Sequence, residues 1–263
     1  MRADKFFAEK YGSRTKAAEA IEKGLVLVNG KTIKPKHEIG ENDLITFVQA
    51  EETFVSNGGY KLDRAIKTFQ LDCKDKVFVD IGASTGGFTD CLLQNGAKKV
   101  YAVDVGESLL HEKIADDERV VVMENTNARY LGKEDFPDTI DGIVTDVSFI
   151  SLRLIFPAIK EVLKEDGEAV VLIKPQFECE HKNIGKSGIV ANSAHPTIVE
   201  KVLKYAEECE LYPYGIVNAP IRKGKNIEYV LYIRKCAKYA KSKKEIVEEV
   251  KNFVRRNSLG ELL

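Results

Sequence analysis

The sequence predicts an α/β protein in which a small N-terminal unit precedes a doubly wound, mostly parallel sheet. From residue 61 onwards, six apolar, strand-like runs alternate with helix-like stretches. This alternation is typical of a parallel sheet with helices on both faces. Residues 1–50 have a different pattern, and a chain of 263 residues is long enough for one such sheet domain plus a small appendage. We expect a first unit at 1–50, a linker at 51–60 and the sheet domain at 61–263.

The first unit is predicted to contain one clear helix and a hairpin. SRTKAAEAIEKG has the periodicity of a helix, with Ser13 as its N-cap and Gly24 as its stop. LVLVNGKTI predicts two strands joined by a turn at Asn29 and Gly30, and DLITFV predicts a further short strand. A unit of this size suits binding better than catalysis.

The stretch RADKFFAEKYGSRTKAAEAIEKGLVLVNGKTI resembles the S4 domain, a small RNA-binding module first known from a ribosomal protein. In that family the helix and the turn after it lie on RNA. The resemblance therefore implies that Arg14, Lys16 and Lys23 contact phosphates. Ordinary surface charges remain the alternative, because lysine and arginine favour exposed helix faces in any protein.

The sheet domain follows the predicted linker EETFVSNGGY, which mixes charge and glycine. Its predicted strands are VFVDI, VYAVDV, VVVME, GIVTDVSF, AVVLIKP and EYVLYI. Its predicted helices are FTDCLLQNG, LRLIFPAIKEVLKEDG and HPTIVEKVLKYAEEC. In sheets of this kind ligands bind at the carboxyl ends of the strands, so the residues that follow each run are the candidates for a site.

Composition excludes several classes of protein. Hydrophobic residues make up 44% and charged residues 31%, which is typical of a soluble protein and not of a disordered or membrane chain. The N-terminal MRADKFFAEKYG has no apolar segment of a secretory signal, and no run reaches the roughly 18 apolar residues of a membrane span. We expect a cytoplasmic protein with no membrane partner. The sequence does not predict its oligomeric state.

Cysteines and histidines predict neither disulfides nor a metal site. The five cysteines are odd in number, scattered and never spaced as CxxC. Cys179 and His181 lie two positions apart in FECEH, but a metal site needs further ligands, and nothing nearby offers them.

The stretch VFVDIGASTGGFTD, residues 77–90, fits two motifs with different chemistry. GASTG matches the GxSxG elbow that exposes a serine nucleophile in α/β hydrolases, with Ser84 as that serine. DIGASTGG also matches a glycine-rich loop that lets a cofactor approach the backbone. The loop follows the first strand of its domain, whereas an elbow serine normally follows several strands. A triad would need a histidine later in the chain, and His181 and His195 keep that alternative open.

Two acidic residues favour a cationic cofactor. Asp104, at the end of the next strand in VYAVDVG, is positioned to accept the ribose hydroxyls of a nucleotide-like ligand. Asp80, directly before the glycine turn, disfavours a diphosphate and favours a cation. S-adenosylmethionine carries a sulfonium and an ammonium, whereas NAD does not. The predicted cofactor-binding residues are Asp80, Gly82, Ala83, Ser84, Thr85, Gly86, Gly87, Phe88, Asp104 and Asp146.

Four further stretches, GGYKLDRA, TDVSFISL, LIKPQFE and NIEYVLYI, resemble the TlyA family together with the S4-like region and DIGASTGGFTDCLLQNGA. That family consists of ribose 2′-O-methyltransferases of ribosomal RNA with a FtsJ-type catalytic domain. The resemblance implies a cytidine in one or both ribosomal subunits as target, and a catalytic tetrad of Lys61, Asp146, Lys174 and Glu228. Members are sometimes labelled haemolysins, although nothing in this sequence indicates membrane lysis.

Within the implied tetrad, Lys174 is the best candidate to accept or stabilise the proton of a ribose hydroxyl, which is a poor nucleophile at neutral pH. Burial and a neighbouring Lys61 would lower the pKa of Lys174, whereas Asp146 would raise it. A general base and a fixed cation beside the forming alkoxide therefore both remain open. Lys61 and Glu228 are expected to orient Lys174 and the hydroxyl.

The chain departs from the family pattern in two places, and two other functions stay open. SNGG at 56–59 replaces SRGG, and APIRKGKN at 219–226 replaces a loop like SPIxGxxGN. A non-catalytic RNA-binding or ribosome-assembly factor would need only the S4-like unit. A serine hydrolase would need a reactive Ser84.

Overall fold

In the computed structural model, the described residues are 1–48, 53–180, 184–185, 187–221 and 224–258. The chain divides into two compact units, Met1–Thr53 and Phe54–Leu263. Residues 51 and 52 of the expected linker lie outside the described residues, and the first helix of the second unit begins at Asn57. The boundaries expected at residues 50 and 61 stay a prediction.

The first unit has two helices and a three-stranded antiparallel sheet with β1 in the centre. Its elements are α1 (Ala3–Phe6), α2 (Arg14–Glu22), β1 (Val26–Val28), β2 (Lys31–Thr32) and β3 (Ile45–Phe47). The Ser13 hydroxyl accepts a hydrogen bond from the Lys16 amide at 3.2 Å, which confirms the predicted N-cap. Asn29 and Gly30 have φ of 51° and 76°, the positive values that a two-residue hairpin turn requires.

The second unit is a seven-stranded sheet in the order β6-β5-β4-β7-β8-β10-β9. Its strands are β4 (Val77–Ile81), β5 (Lys99–Val103), β6 (Val120–Met123), β7 (Ile140–Thr145), β8 (Leu163–Ile173), β9 (Tyr212–Asn218) and β10 (Tyr229–Arg234). Its helices are α3 (Asn57–Phe69), α4 (Gly87–Gln94), α5 (Glu112–Ala115), α6 (Phe156–Val162), α7 (Pro175–Glu178), α8 (His195–Glu208) and α9 (Lys243–Ser258). Strands β4 to β8 run parallel, and β10 is antiparallel to both of its neighbours.

Helices cover both faces of this sheet, as the strand and helix pattern predicts. One apolar cluster joins alternate strand residues such as Val79 and Ile143 to α6, α8 and α9. The other joins the intervening residues, such as Phe78 and Val144, to α3 and α4. Because successive side chains of a strand point to opposite faces, the buried strands need apolar residues at every position.

Two details of the sequence interpretation are wrong. The predicted helix LRLIFPAIKEVLKEDG ends early, since α6 stops at Val162 and residues 163–167 begin β8. Strand β9, YPYGIVN, was not predicted at all, because Pro213 and Gly215 interrupt its apolar run. It is the edge strand of the sheet, where proline is tolerated.

Candidate active site

The four residues of the expected tetrad meet at the carboxyl-end edge of the sheet. Asp146 follows β7 and Lys174 follows β8. Glu228 directly precedes β10, which runs antiparallel to β8, so the start of β10 lies beside the end of β8. Lys61 reaches the same place from α3. Residues far apart in the chain therefore converge because parallel strands end at one edge.

Three ion pairs join these side chains into one chain of charges. Lys174 Nζ lies 2.6 Å from Asp146 Oδ1. Lys61 Nζ lies 3.1 Å from Asp146 Oδ2 and 2.8 Å from Glu228 Oε2. Each oxygen of Asp146 thus faces a different lysine, and this carboxylate sets the separation of the two amines.

Lys61 is held as a cation. Burial, the largest single influence, acts to lower the pKa of Lys61, but the nearby carboxylates of Asp146 and Glu228 together outweigh it and raise the pKa above its ordinary value. A permanently charged Lys61 cannot accept a proton at neutral pH. Its position between Asp146 and Glu228 suits it to hold these two carboxylates in place.

Lys174 has a second partner that the sequence did not single out. Its Nζ, in a side chain that is only 10% exposed, donates a hydrogen bond to Ser148 Oγ at 2.8 Å as well as pairing with Asp146. Asp146 Oδ1 has no hydrogen-bond partner among the described residues, so its 2.6 Å approach to Lys174 Nζ is an ion pair without hydrogen-bond alignment. Of the three bonding directions of the amine nitrogen besides its own Cε, Ser148 occupies one. Ser148 gave no sequence signal because its role depends on β7 and β8 lying side by side.

The glycine loop after β4 is a turn that side chains would obstruct. Gly82, Ser84 and Gly86 have φ of 82°, 49° and 88°. A Cβ on Gly82 would lie 3.1 Å from Val147 Cγ1 and 3.2 Å from the Asp146 carbonyl oxygen. Glycine at position 82 therefore lets this backbone pass close to Asp146 and Val147 after β7. The positive φ angles of the loop are values that glycine adopts easily.

Most of the predicted cofactor residues line a small cavity of about 170 Å³ in the glycine loop. The loop residues that line it are Gly82, Ala83, Ser84, Thr85, Gly87 and Phe88. The other side of this cavity includes Asp146, Ser148 and Lys174. Gly86 is not among the lining residues; a Cβ there would lie 3.0 Å from Ile114 Cγ2, so Gly86 allows close packing against α5 instead.

A larger cavity of about 700 Å³ adjoins the first, because both are lined by Gly82, Ser84, Asp146 and Ser148. Asp104 also lines it, next to the shared residue Ser84. This volume is within the range of small-molecule sites. Together, the two cavities extend from Asp104, after β5, to Lys174, after β8.

The two predicted acidic residues lie in different environments. Asp104 accepts hydrogen bonds from the amides of Ser84 and Gly106, each at 2.9 Å, and each carboxylate oxygen keeps a further lone pair for ligand hydroxyls. Asp80 is fully buried and lines neither cavity. Its Oδ2 accepts from Thr89 Oγ1 at 2.7 Å, while its Oδ1 has no hydrogen-bond partner among the described residues. Burial raises the pKa of Asp80 to about 7.

The described residues do not support Ser84 as a nucleophile. No hydrogen bond there joins its hydroxyl to a histidine. His195 is fully buried, its Nδ1 lies 2.8 Å from the Tyr229 hydroxyl, and burial lowers its pKa to about 4. The other candidate, His181, lies outside the described residues. Within the same described ranges, no cluster of three or more potential metal ligands occurs.

An aromatic pair, one exposed ring and one half-buried ring, lies near Lys174. Phe149 is 91% exposed and has a positive φ of 62°, which is unusual for a bulky residue. Its ring centroid lies 5.0 Å from that of Phe177. Lys174 Nζ is 6.0 Å from the Phe177 ring centroid. The exposed ring of Phe149, near the amine of Lys174, suits the stacking of a planar ligand group.

The predicted RNA-contacting residues of the first unit are all exposed. Arg14 is the first residue of α2, Lys16 is the third, and Lys23 is the C-cap residue. Arg14 Nη2 also lies 3.1 Å from the buried Asp4 carboxylate. This pair orients the guanidinium while more than half of the Arg14 side chain stays accessible.

The two departures from the family pattern lie at the edge of the site. In SNGG, Ser56 is the N-cap of α3, and Asn57 is exposed where an arginine is expected. In the loop APIRKGKN, residues 222 and 223 lie outside the described residues. Its Asn226 accepts a hydrogen bond from the Val190 amide at 2.8 Å, which ties this loop to the segment after α7.

Comparison with known proteins finds two family models on this chain. The model described as FtsJ-like methyltransferase matches residues 54–235, and the model described as S4 domain matches residues 1–45. The chain is 42% identical to "Hemolysin A" of Brachyspira hyodysenteriae, over 88% of this chain and 99% of the relative. It is 36% identical to the "16S/23S rRNA (cytidine-2'-O)-methyltransferase TlyA" of Mycobacterium tuberculosis, over 90% of each chain.

Solved structures give the same result. A Streptococcus thermophilus protein titled as a hemolysin superposes with a TM-score of 0.74 at 37% identity, covering 98% of each chain. An S-adenosylmethionine-dependent methyltransferase of Mesorhizobium loti, at 12% identity and a TM-score of 0.51, shares the fold alone. Within the described ranges, no helix combines the length and the apolar character that crossing a membrane requires.

Proposed function

The chain belongs to the FtsJ-like methyltransferase family, and we propose that it uses S-adenosylmethionine to methylate the 2′-hydroxyl of a cytidine ribose in ribosomal RNA. The observation that carries this proposal is the shared Asp146 carboxylate, which pairs with both Lys61 and Lys174 and lines the glycine-loop cavity together with Lys174. Both ribosomal subunits are candidate substrates, as the name of the mycobacterial relative says of that protein. The enzyme would then work in the cytoplasm, where ribosomes are assembled.

The residues present fit S-adenosylmethionine. The larger cavity has room for a nucleoside, with Asp104 at the side where ribose hydroxyls would be accepted. The smaller cavity leads from there to Lys174. Beneath the loop, the orphaned Oδ1 of Asp80 supplies a negative potential that favours a cationic ligand over a phosphate. When bound, this cofactor supplies a methyl group made electrophilic by a positively charged sulfur.

The tetrad supplies the complementary chemistry. The hydroxyl of Ser148 and the charge of Asp146 hold Lys174 Nζ where a free direction of the amine can receive the proton of a ribose hydroxyl. As a neutral amine, Lys174 would donate one proton to Ser148 and direct its lone pair at the ribose hydroxyl. The cationic Lys61, fixed between Asp146 and Glu228, keeps the arrangement rigid while the proton moves. Orientation of this kind is a large part of methyl-transfer catalysis.

The surroundings suit an RNA substrate. The exposed ring of Phe149 packs against the half-buried ring of Phe177 near Lys174, and RNA-binding proteins commonly stack single-stranded bases on exposed aromatic rings. The S4 unit adds the exposed cations Arg14, Lys16 and Lys23 for the phosphate backbone. The aromatic rings at the site would then recognise a base of the RNA, and the S4 unit would bind its phosphates.

The direct test is transfer of a labelled methyl group from S-adenosylmethionine to purified, unmethylated ribosomal subunits. Digestion of the RNA to nucleosides and mass spectrometry should detect 2′-O-methylcytidine from one or both subunits. Label on a base instead of a ribose, or no incorporation while S-adenosylmethionine binds, would overturn the proposal. Reaction of Ser84 with a fluorophosphonate probe would instead favour a serine hydrolase.

A further inference from the structure

Two loops at the carboxyl edge carry the chemical groups of the site. The first, residues 146–151 after β7, contains Asp146, Ser148 and Phe149. The second, residues 174–178 after β8, consists of Lys174 and the single-turn helix α7, which contains Phe177. We call them the aspartate loop and the lysine loop. Their separation decides whether Lys174 meets both Asp146 and Ser148.

The far ends of these loops are joined by a buried carboxylate. Glu178, the last residue of the lysine loop, is only 4% exposed and lines none of the cavities described above. One of its oxygens accepts the hydroxyl proton of Ser151 at 2.7 Å, and the other accepts the amide proton of Leu152 at 2.7 Å. Both donors belong to the end of the aspartate loop and the turn of helix that follows it.

A third contact ties the same point to the helical layer. Lys201 Nζ on α8 donates to the backbone carbonyl of Glu178 at 3.1 Å. The lysine loop is therefore anchored on both sides, by α8 through its backbone and by the aspartate loop through its side chain. A carboxylate rarely stays buried unless its oxygens are hydrogen-bonded, and here both are used to hold the neighbouring loop.

We infer that Glu178 is a positioning residue, which clamps the aspartate loop to the lysine loop and so sets the Lys174–Asp146–Ser148 geometry. This inference rests on the proposed methyl transfer. The short contacts of Lys174, 2.6 Å to Asp146 and 2.8 Å to Ser148, require the loops to keep their spacing. A displacement of about 1 Å can cost about a hundredfold in rate when reacting groups must be aligned.

The substitution Glu178→Gln removes the carboxylate charge but keeps the size of the side chain and its ability to form hydrogen bonds. A glutamine can accept the Leu152 amide proton with its carbonyl oxygen and donate to the Ser151 hydroxyl oxygen, which has a free lone pair. Both cross-loop bonds are then kept. Glu178→Leu has a similar volume but removes both. The clamp therefore predicts that the glutamine variant works and the leucine variant does not.

The matched control is Glu168, which lies on β8 away from the tetrad. It is also largely buried and also accepts from two partners, Lys76 Nζ at 3.2 Å and the Tyr232 hydroxyl at 3.0 Å. Glu168→Leu should lower the melting temperature as Glu178→Leu does, because each leaves fully or partly buried donors without a partner. Glu168→Leu should leave kcat within about twofold of the wild type, because a substitution far from the reacting groups has little energetic coupling to them.

The experiment measures kcat and KM for ribosomal subunits, with S-adenosylmethionine affinity by calorimetry, in all four proteins. Glu178→Leu should lose about ten- to a hundredfold in kcat, with a smaller change in KM, and Glu178→Gln should restore kcat to within about threefold of the wild type. Equal losses in both Glu178 variants, or full kcat in Glu178→Leu, would overturn the inference. If Glu178→Leu does not fold, Ser151→Ala removes one of the two bonds and should still lower kcat several-fold. A wild type that transfers no methyl group would overturn the proposed function, and the inference with it.

Discussion

The two ends of the seven-stranded sheet carry similar ion pairs but differ in what lies beside them. At the amino end, Lys99 Nζ lies 2.6 Å from Asp138 Oδ2, and the same oxygen accepts from the Tyr101 hydroxyl at 2.5 Å. At the carboxyl end, Lys174 lies at the same distance from Asp146, which also serves a second donor. By distances alone the two carboxylates are equivalent.

The carboxylates at both ends line a cavity, of about 400 Å³ at Asp138, so what separates the two ends is the burial of the amine and the groups that surround it. Lys174 faces a cavity formed by a glycine loop, with the orphaned acceptor of Asp80 beneath. Lys99 lies at a surface edge, one-third exposed, where water competes for the charge. An ion pair with two donors is therefore not by itself a site. The combination with a cavity and a cation-favouring environment makes it one.

The largest expected difference between the two ends follows from matched carboxylate substitutions. Asp146→Asn removes the negative charge that pairs with both Lys61 and Lys174, and we expect kcat to fall by about two to four orders of magnitude. Asp138→Asn makes the same chemical change at the amino end and should leave kcat within about twofold. Methyl transfer to ribosomal subunits under saturating cofactor measures both. Comparable losses of kcat in Asp146→Asn and Asp138→Asn would show that the carboxyl end of the sheet has no special role in catalysis.

A smaller effect is expected from the hydroxyl partners at each end. Ser148→Ala removes the hydroxyl that accepts a hydrogen bond from Lys174, and the loss of that hydrogen bond is expected to lower kcat about tenfold. Tyr101→Phe removes the hydroxyl that donates to Asp138 and should leave kcat unchanged. Cofactor affinity, measured by calorimetry in Ser148→Ala, separates orientation of Lys174 from a direct cofactor contact. An unaltered kcat in Ser148→Ala would remove Ser148 from the site.

Cofactor affinity should depend on pH through Asp80. Its pKa is raised to about 7, so the carboxylate becomes protonated as the pH falls through 7 and its attraction for a cationic ligand is lost. Since a single proton is involved, S-adenosylmethionine should bind at most about tenfold more weakly at pH 6 than at pH 8. Asp80→Asn should bind with little pH dependence. A wild-type affinity that is constant over this range, or that rises on acidification, would contradict this role.

The smallest effects are expected in the S4 unit. Lys16→Ala and Lys23→Ala each remove one exposed charge, and a solvent-exposed contact contributes at most about 1 kcal/mol, or about fivefold in RNA affinity. The slope of log affinity against log salt should become shallower by about 0.7 to 0.9 per lost phosphate contact. Filter binding to ribosomal RNA over a salt series gives both quantities, and Lys5→Ala on α1 is the control. Equal slopes in all variants would show that these lysines do not touch phosphate.

The sequence predicts most of this architecture, because the strands of the sheet are buried and therefore continuous apolar runs. VFVDI and the strand endings that carry Asp104, Asp146 and Lys174 are identifiable for that reason. The pattern fails where burial is incomplete or where composition is mixed. Pro213 and Gly215 disguise the edge strand β9, and the polar start of β8 resembles the end of a helix.

The site is less predictable than the fold. Family resemblance led to the tetrad, and the structure brings its members within 3.1 Å of one another along the chain of ion pairs. Their individual roles, and those of the predicted cofactor and RNA contacts, stay predictions. Ser148 and Glu178 gave no signal, since each acts on a loop that follows a different strand. Contacts across strands depend on sheet order, which local sequence does not encode.

The most direct test compares Lys174→Ala with Lys99→Ala in single-turnover methyl transfer to ribosomal subunits. These lysines lie at the same 2.6 Å from their carboxylates at opposite ends of the sheet. The account predicts that Lys174→Ala loses at least about a hundredfold in rate while still binding S-adenosylmethionine, and that Lys99→Ala stays within about twofold of the wild type. A Lys174→Ala variant with nearly full rate, or equal losses in the two variants, would contradict the assignment of the carboxyl edge as the active site.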